Sequence, residues 1–399
     1  VKRIHCRACN ACGLTEVLNL GRQPASNALL DNPISIGRRE YPLRLVLCRH
    51  CNLLQLDYDV PHDELFGSDY PFFSGSVPGT VRNAVKYACD MISRLALDNE
   101  STVVEIGGND GTLLKEFSDQ RVINVEMSAS AAYASEAASI FTMRTPWGRH
   151  FGELPRERAD LIIANNVMAH SPDPRGFIDC VKRNLGDFGT FTAQFPWALH
   201  MIEQCQFDTI YHEHYSYFTL RALMPLFAEH GLTIYDVEEL PIHGGSLQIM
   251  VAHTGAMIPS IRIADFLARE REAGLDKLET YWKFRERAWS IRGDFEAFLS
   301  QHAPVYAYGA AAKGNTFLNW LHVSAEEILA VGDSTPAKIG KFLPGSNIPI
   351  ISEAELLVRQ PAYVVILPWN WKDNIVDKLH CIRGWGGQFV TAIPELKVF

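Results

Sequence analysis

Between Tyr211 and Tyr217 the chain packs two imidazoles, one carboxylate and three phenols into seven consecutive residues, Tyr211-His-Glu-His-Tyr-Ser-Tyr217. A surface loop needs far less. Proton transfer needs such groups, because a histidine with an ordinary pKa of about 6.5 takes or gives a proton at neutral pH. His212 and His214 are two residues apart, hence on opposite sides of a helix or on one face of a strand. The zinc-protease pattern H-E-x-x-H, whose histidines share a helix face, is therefore not formed. No role follows for His212, for which a packed or solvent-facing ring is expected.

A second set of reactive groups lies near the start of the sequence. Five of the nine cysteines fall within the first 51 residues, and four of them form two C-x2-C pairs, Cys6 with Cys9 and Cys48 with Cys51. Each pair sets two thiolates on a tight turn, and two such knuckles close a tetrahedral four-cysteine site suited to zinc. Cys9 and Cys12 make an overlapping C-x2-C; the Cys6/Cys9 pairing is preferred, with Cys12 a spare small residue. An all-cysteine set leaves no open coordination position, so the zinc is expected to be structural and the chemistry to lie elsewhere.

The third group is a glycine turn. Thr102-Val-Val-Glu-Ile-Gly-Gly-Asn-Asp-Gly-Thr-Leu-Leu114 reads as an apolar strand breaking into a Gly/Asn/Asp turn and then a helix, after an amphipathic stretch from Val81 to Leu97. Val122-Ile-Asn-Val-Glu126 reads as a second strand ending in an acid, and Asp160-Leu-Ile-Ile-Ala-Asn-Asn166 as a later one. This is βαβ spacing, with ligand residues at the strand ends where open α/β sheets bind ligands. Glu126 stands where a ribose diol would be held. G-x-G-x-x-G is absent, which disfavours NAD, whereas E-x-G-x-x-x-G on Glu105, Gly107 and Gly111, followed by the acid, is the usual S-adenosylmethionine pattern. Glu105, Gly107, Asn109, Asp110, Gly111, Glu126, Asn165 and Asn166 are the expected cofactor contacts.

These groups have to be positioned by a sizeable scaffold. A chain of 399 residues predicts two or three domains, because a single core seldom grows beyond roughly 250 residues. Hydrophobic residues at 47% and charged residues at 21% are ordinary for a folded chain and exclude disorder as the main theme. A net charge of −9 argues against a general nucleic-acid binder, whose affinity comes from neutralising phosphates. The opening residues lack the apolar core of a signal peptide, and no run of about 18 apolar residues occurs, so a cytoplasmic protein without membrane attachment is expected.

The last third repeats the strand and helix pattern. Ala303-Pro-Val-Tyr-Ala-Tyr308 feeds Gly309-Ala-Ala-Ala-Lys-Gly-Asn-Thr316, and apolar strands follow at Glu327 to Asp333 and Ala362 to Leu367. Gly309-x4-Gly314 is not a P-loop, since Asn315 stands where the phosphate-binding lysine would be. A glycine turn opening a helix still offers N–H groups to an anion, and Lys313 adds a cation suited to a diphosphate; a plain strand-helix turn with Lys313 in solvent is the competing reading. The run from Arg269 to Arg292 reads as a solvated amphipathic helix. The fold expected is α/β, with a small N-terminal zinc-binding domain over 1–70, a central Rossmann-like methyltransferase domain over 71–238 and a second Rossmann-like domain over 239–399.

Several ordered motifs go further: the Cys pairs with Leu18-Asn-Leu-Gly-Arg-Gln-Pro24, the Asn109-Asp-Gly111 turn, Asn165-Asn-Val-Met-Ala-His170, Asp208-Thr-Ile-Tyr-His-Glu-His-Tyr-Ser-Tyr-Phe218, His243-Gly-Gly-Ser246, Tyr308 to Thr316 and Pro368-Trp-Asn-Trp371. Together, over almost the whole chain, they resemble the deoxysugar C-methyltransferases. These enzymes use S-adenosylmethionine to methylate a carbon beside the ketone of a nucleotide-linked keto-sugar. The resemblance implies His214 as the base, Glu213 orienting or polarising it, Tyr211 on the sugar or its oxyanion, and His170 as a further active-site histidine. It also implies an active-site tyrosine in the stretch beginning at Tyr70. There the family often shows Tyr-x-Tyr, whereas this chain has Phe72 at the second position, so that hydroxyl comes from Tyr70 or is lost. His243, Tyr308, Lys313 and Asn315 are the expected substrate contacts. Methylation on oxygen or nitrogen of another acceptor, and a non-catalytic homologue that binds the same ligands, remain alternatives at the level of sequence.

Overall fold

A computed structural model describes residues 1–33, 39–65, 73–76, 78–155, 158–242 and 244–399. Tyr70, Phe72 and His243 lie outside the described residues.

The strand Thr102–Ile106 is buried along its whole length, which is what a continuous Val-rich run dictates for a strand covered on both faces. It sits inside a seven-stranded sheet in the order Leu232–Leu240, Ser246–His253, Leu185–Pro196, Ala159–Asn165, Thr102–Ile106, Arg121–Val125, Phe141–Met143. Ser246–His253 runs antiparallel to both neighbours, and the other paired strands are parallel. The strand order reverses between Thr102–Ile106 and Ala159–Asn165, and open α/β sheets take ligands at such a switch point. The helix Pro78–Leu95 covers one face there through Ala84, Tyr87, Ala88 and Met91. Past the glycine turn the expected helix shrinks to one 3-10 turn, Leu114–Glu116. Gly107, Asn109 and Gly111 all have left-handed backbone, and Phe117 buries directly behind them, so the chain turns inward before a helix can propagate.

Sheet pairing continues across the boundary expected at Glu239. Leu240 pairs with Ser246 at the closed end of a hairpin, and a hairpin partner stays in its own sheet. The strand Ser246–His253 thus completes the central sheet. The second parallel sheet begins only at Val305, in the order Ile350–Ser352, Ile328–Asp333, Val305–Tyr308, Tyr363–Ile366, Gln388–Thr391, Lys397–Val398. Between the two sheets lie two helices, Arg262–Glu272 and Leu278–His302, where one solvated helix over Arg269 to Arg292 was expected. Gly274, left-handed, breaks the run. The second helix buries Tyr281, Phe284, Ala288, Ile291 and Phe295, a three-four spacing that turns one stripe into core and leaves the charges outside.

The N-terminal segment forms a four-stranded antiparallel sheet, Leu14–Gln23, Tyr41–Cys48, Leu54–Leu56 and, from far along the chain, Ser216–Tyr217. A single hydrophobic cluster runs from Cys6 through Ile162 and Phe207 to Ile393, so the three sheets share one core. Among the described residues no helix is long and apolar enough to cross a membrane.

Candidate active site

The four cysteines meet as expected. The Sγ atoms of Cys6, Cys9, Cys48 and Cys51 all lie within 4.8 Å of one another, with Cys6 to Cys51 at 3.5 Å and Cys9 to Cys48 at 3.6 Å. Zinc–thiolate bonds of about 2.3 Å in a tetrahedron require sulfurs about 3.8 Å apart, so the donor set fits zinc. Cys12 stands outside it, exposed, with its sulfur 3.5 Å from His5 Nδ1.

The zinc knuckle is joined to the rest of the site by Arg7, which lies between Cys6 and Cys9. Its buried guanidinium donates to the carbonyls of Pro172 at 2.8 Å and Leu56 at 3.2 Å. It also pairs with Asp59 and lies 4.9 Å from the centre of the Tyr215 ring. Pro172 follows His170 by two residues and Tyr215 follows His214 by one.

A cavity of about 550 Å³ opens at the switch point of the central sheet. Glu105, Gly107, Asn109, Glu126, Asn165, Asn166 and His170 line it, together with Tyr87, Trp147 and Gln194. Asp110 and Gly111 shape the turn from behind: Asp110 accepts from Thr112 and from the Gly75 amide, and a Cβ on Gly111 would strike Ile140. At Gly107, φ is +64° and a Cβ would meet Val167 at 2.8 Å, so only glycine lets the backbone turn there. Burial, with Glu126 and Asp110 nearby, pushes the Glu105 carboxyl up to about 8. Its Oε2 is buried without a hydrogen-bond partner among the described residues, as is Asn165 Oδ1. Glu126 also is raised by burial, while the amides of Asn109 at 3.0 Å and Ser128 at 2.7 Å work against that by donating to it. Two acids short of a cation and an orphaned acceptor suit a ligand carrying hydroxyls, an ammonium and a sulfonium. That is the chemistry of S-adenosylmethionine.

The histidine loop stands next to this cavity. His214 is nearly buried; its Nδ1 lies 3.0 Å from the Thr209 carbonyl, which can only accept, so Nδ1 carries the proton. Nε2 is then the basic nitrogen, and the Tyr211 hydroxyl donates to it at 2.8 Å. The His170 ring lies 4.8 Å from the His214 ring, edge to face, and its Nδ1 donates to the Glu213 carbonyl at 2.8 Å. Burial pushes His170 down to about 4. Glu213 differs from expectation. Its carboxylate accepts from Asn27 Nδ2 at 2.7 Å, while the nitrogens of His214 are engaged by Thr209 and Tyr211. Glu213 therefore holds His170 through its backbone and Asn27 through its side chain, because an i, i+1 pair turns its side chains apart. Burial raises its carboxyl to about 7. His212 is a packed ring, its Nε2 donating to the Tyr41 carbonyl at 3.3 Å.

The expected substrate contacts are divided. The Tyr308 hydroxyl donates to Glu353, inside the C-terminal unit. Asn315 is buried and its Nδ2 donates to the Ser26 carbonyl at 3.3 Å. Lys313 is not in solvent: its ammonium is buried, unpaired among the described residues, 5.4 Å from the centre of Trp369 and electrostatically coupled to Asp208. Trp369 Nε1 in turn donates to Asp208 Oδ2 at 2.8 Å. Asn27 escaped the sequence reading, and Asp208 and Thr209, though inside a quoted motif, were given no role there. Thr209 acts through its backbone, which no side-chain pattern reveals; Asn27 lies 186 residues from its partner, though it closely follows the Leu18 to Pro24 motif.

The strand order, the switch-point cavity and its acids define an S-adenosylmethionine-dependent methyltransferase, extended by a four-cysteine zinc module and a second parallel sheet. The chain matches the profiles of a zinc binding domain over residues 6–66, a methyltransferase domain over 81–237 and a C-methyltransferase C-terminal domain over 241–394. It belongs to the C-methyltransferase family. Its relative C-methyltransferase NovU of Streptomyces niveus is 32% identical over 407 residues, spanning 98% of this chain and 96% of that protein. Among solved structures, a 1,6-didemethyltoxoflavin-N1-methyltransferase from Burkholderia thailandensis with bound S-adenosylhomocysteine is 19% identical, covering 50% of this chain and 95% of its own at a TM-score of 0.37. A magnesium protoporphyrin IX methyltransferase from Synechocystis with bound S-adenosylmethionine is 10% identical, covering 44% and 80% at a TM-score of 0.35.

Proposed function

We propose that the enzyme methylates the carbon next to the ketone of a nucleotide-linked 4-keto-deoxysugar, at C-3, with His214 as the base. The observation that carries this reading is the tautomer of His214: the Thr209 carbonyl fixes the proton on Nδ1, and the basic Nε2 lies beside the Tyr211 hydroxyl, one ring away from the cofactor cavity. Removing a proton alpha to a ketone calls for a base of this kind and a donor for the enolate oxygen. Nε2 would take the proton and the Tyr211 hydroxyl would turn to the developing oxyanion. His170, held down near 4 by burial, stays neutral and serves as a hydrogen-bonding wall. S-adenosylmethionine supplies the electrophilic methyl. Lys313 is the cation proposed for the diphosphate, and Trp369 has to move off its ammonium for the two to meet.

His214→Asn is expected to keep S-adenosylmethionine affinity while methyl transfer to TDP- or GDP-linked keto-sugars falls roughly 10²–10⁴-fold. In D2O with S-adenosylhomocysteine bound, wild-type protein should wash deuterium into the carbon that becomes methylated, and the variant should not. Methyl transfer by the variant at the wild-type rate would remove His214 as the base; a methyl located on oxygen or nitrogen by NMR would refute C-methylation of this acceptor.

A further inference from the structure

Residue 213 is gripped at both ends. Its carbonyl takes the Nδ1 proton of His170 at 2.8 Å, and its carboxylate takes a proton of Asn27 Nδ2 at 2.7 Å. Asn27 belongs to the segment that leaves the N-terminal sheet after Gln23, and that segment is itself tied to the C-terminal unit. Gln23 Nε2 donates to the Thr316 carbonyl at 3.3 Å, Ser26 Oγ meets Thr316 Oγ1 at 3.0 Å, and Asn315 Nδ2 donates to the Ser26 carbonyl at 3.3 Å. One short stretch of chain therefore reaches from the zinc module, across the helix Ala312–Trp320 of the C-terminal unit, to the histidine loop of the central unit.

We propose that Asn27 is a positioning residue for methyl transfer: its amide holds the Glu213 carboxylate, and through residue 213 it sets His170 and the adjoining His214 for the reaction. The claim rests on the reading of Glu213 and His214 as part of the chemistry. An amide in this place has a definite effect on its partner. The Glu213 carboxylate is buried, and a hydrogen bond donated to the ionised form is what favours that form against the cost of burial. The ionisable groups around it are His170 against its carbonyl, His214 next along the chain, and Tyr215, whose ring carries Arg7 with Asp59 behind it. Among the described residues the donor to the carboxylate is Asn27.

The test compares Asn27→Leu, which deletes the donor, with Ser26→Ala, which loosens the same segment from Thr316 and leaves Glu213 its partner. The Glu213 carboxyl is followed by its 13C resonance in protein labelled at glutamate, identified by its loss in Glu213→Gln. Asn27→Leu is expected to move the Glu213 titration to higher pH and to lower kcat roughly ten- to hundredfold, the usual weight of a hydrogen bond to a charged group, with S-adenosylmethionine affinity within twofold of wild type. Ser26→Ala should leave the titration in place. Asn27→Asp serves if the leucine does not fold: a second carboxylate against the first should also push the pair's titration upward. A Glu213 titration unchanged in both Asn27 variants overturns the proposal, as does an equal shift in Ser26→Ala. Since the resonance is read without substrate, a wild-type enzyme that methylates no keto-sugar would refute the acceptor while the Asn27 claim is still decided.

Discussion

The central and C-terminal units are built on the same parallel plan; the central one opens a cavity at its switch point, while the C-terminal one ties the corresponding turn to its own acid and lysine. Both end the first strand in a left-handed glycine pressed against the loop after the fourth, Gly107 against Val167 and Gly309 against Pro368. Both carry an acid at the end of the second strand, Glu126 and Asp333. In the C-terminal unit Asp333 is used up internally: it accepts from the amides of Ala310 and Thr335, both at 2.8 Å, and has the Lys338 ammonium at 3.7 Å. Lys338 also donates to the Ala310 carbonyl at 2.9 Å, sealing the turn. In the central unit Glu126 and Glu105 face the cavity, and neither forms an ion pair among the described residues. One acid has been given a cation by its own chain; the others face the cavity without one among the described residues. Shared topology therefore says where a ligand can bind, and the charge ledger of the turn says whether it does.

The sharpest way to break this contrast is Glu105→Gln. A carboxyl at about 8 in the folded protein and 4.5 when unfolded stays protonated in the native state while the unfolded chain ionises. Stability should therefore fall as pH rises from about 4.5 to about 8 and remain low above it. Removing the group abolishes that slope, so the cofactor-free variant is expected to be more stable at pH 8 by roughly 3–5 kcal/mol, the two proteins converging near pH 4. Thermal unfolding at several pH values measures it, and equal melting temperatures at pH 8 would mean that Glu105 already has a cation.

A smaller effect separates the two second-strand acids. Glu126→Ala should weaken S-adenosylmethionine binding by about 1.5–3 kcal/mol in calorimetry, and an unchanged affinity would refute its place on the ribose. The smallest change is expected from Asp333→Ala, which strands two backbone donors and should cost about 1–2 kcal/mol of stability. Cofactor affinity there should match wild type; a loss comparable to that of Glu126→Ala would erase the distinction between the units.

Legibility in the sequence followed the range of the signal. The zinc ligands, the strand Thr102–Ile106 and the acid after the second strand are local patterns, and each was readable. The sheet that Leu247 to Val251 joins was not legible, because its alternation is that of any strand; the hairpin joining Leu240 to Ser246 assigns it to the central sheet. The resemblance implies that Glu213 orients His214, whereas its carboxylate takes Asn27, which lies in the turn after the strand Leu14–Gln23 and far from Glu213 in sequence. Lys313 was expected to face an anion or solvent, and burial under Trp369 is a tertiary fact without any trace in spacing.

The reach of Arg7 bears on how such a molecule assembles. The guanidinium and its acceptor at Pro172 are 165 residues apart in sequence, and the zinc module takes its fourth strand from Ser216–Tyr217. Contacts at that separation are slow to find, because a long loop has to close before they return any energy. Binding of the metal can fold the two knuckles early, yet the sheet they belong to keeps an unpaired edge at Leu54–Leu56 until the histidine loop arrives. The module's sheet is therefore complete only once the histidine loop is in place, so the two units share that last strand pairing.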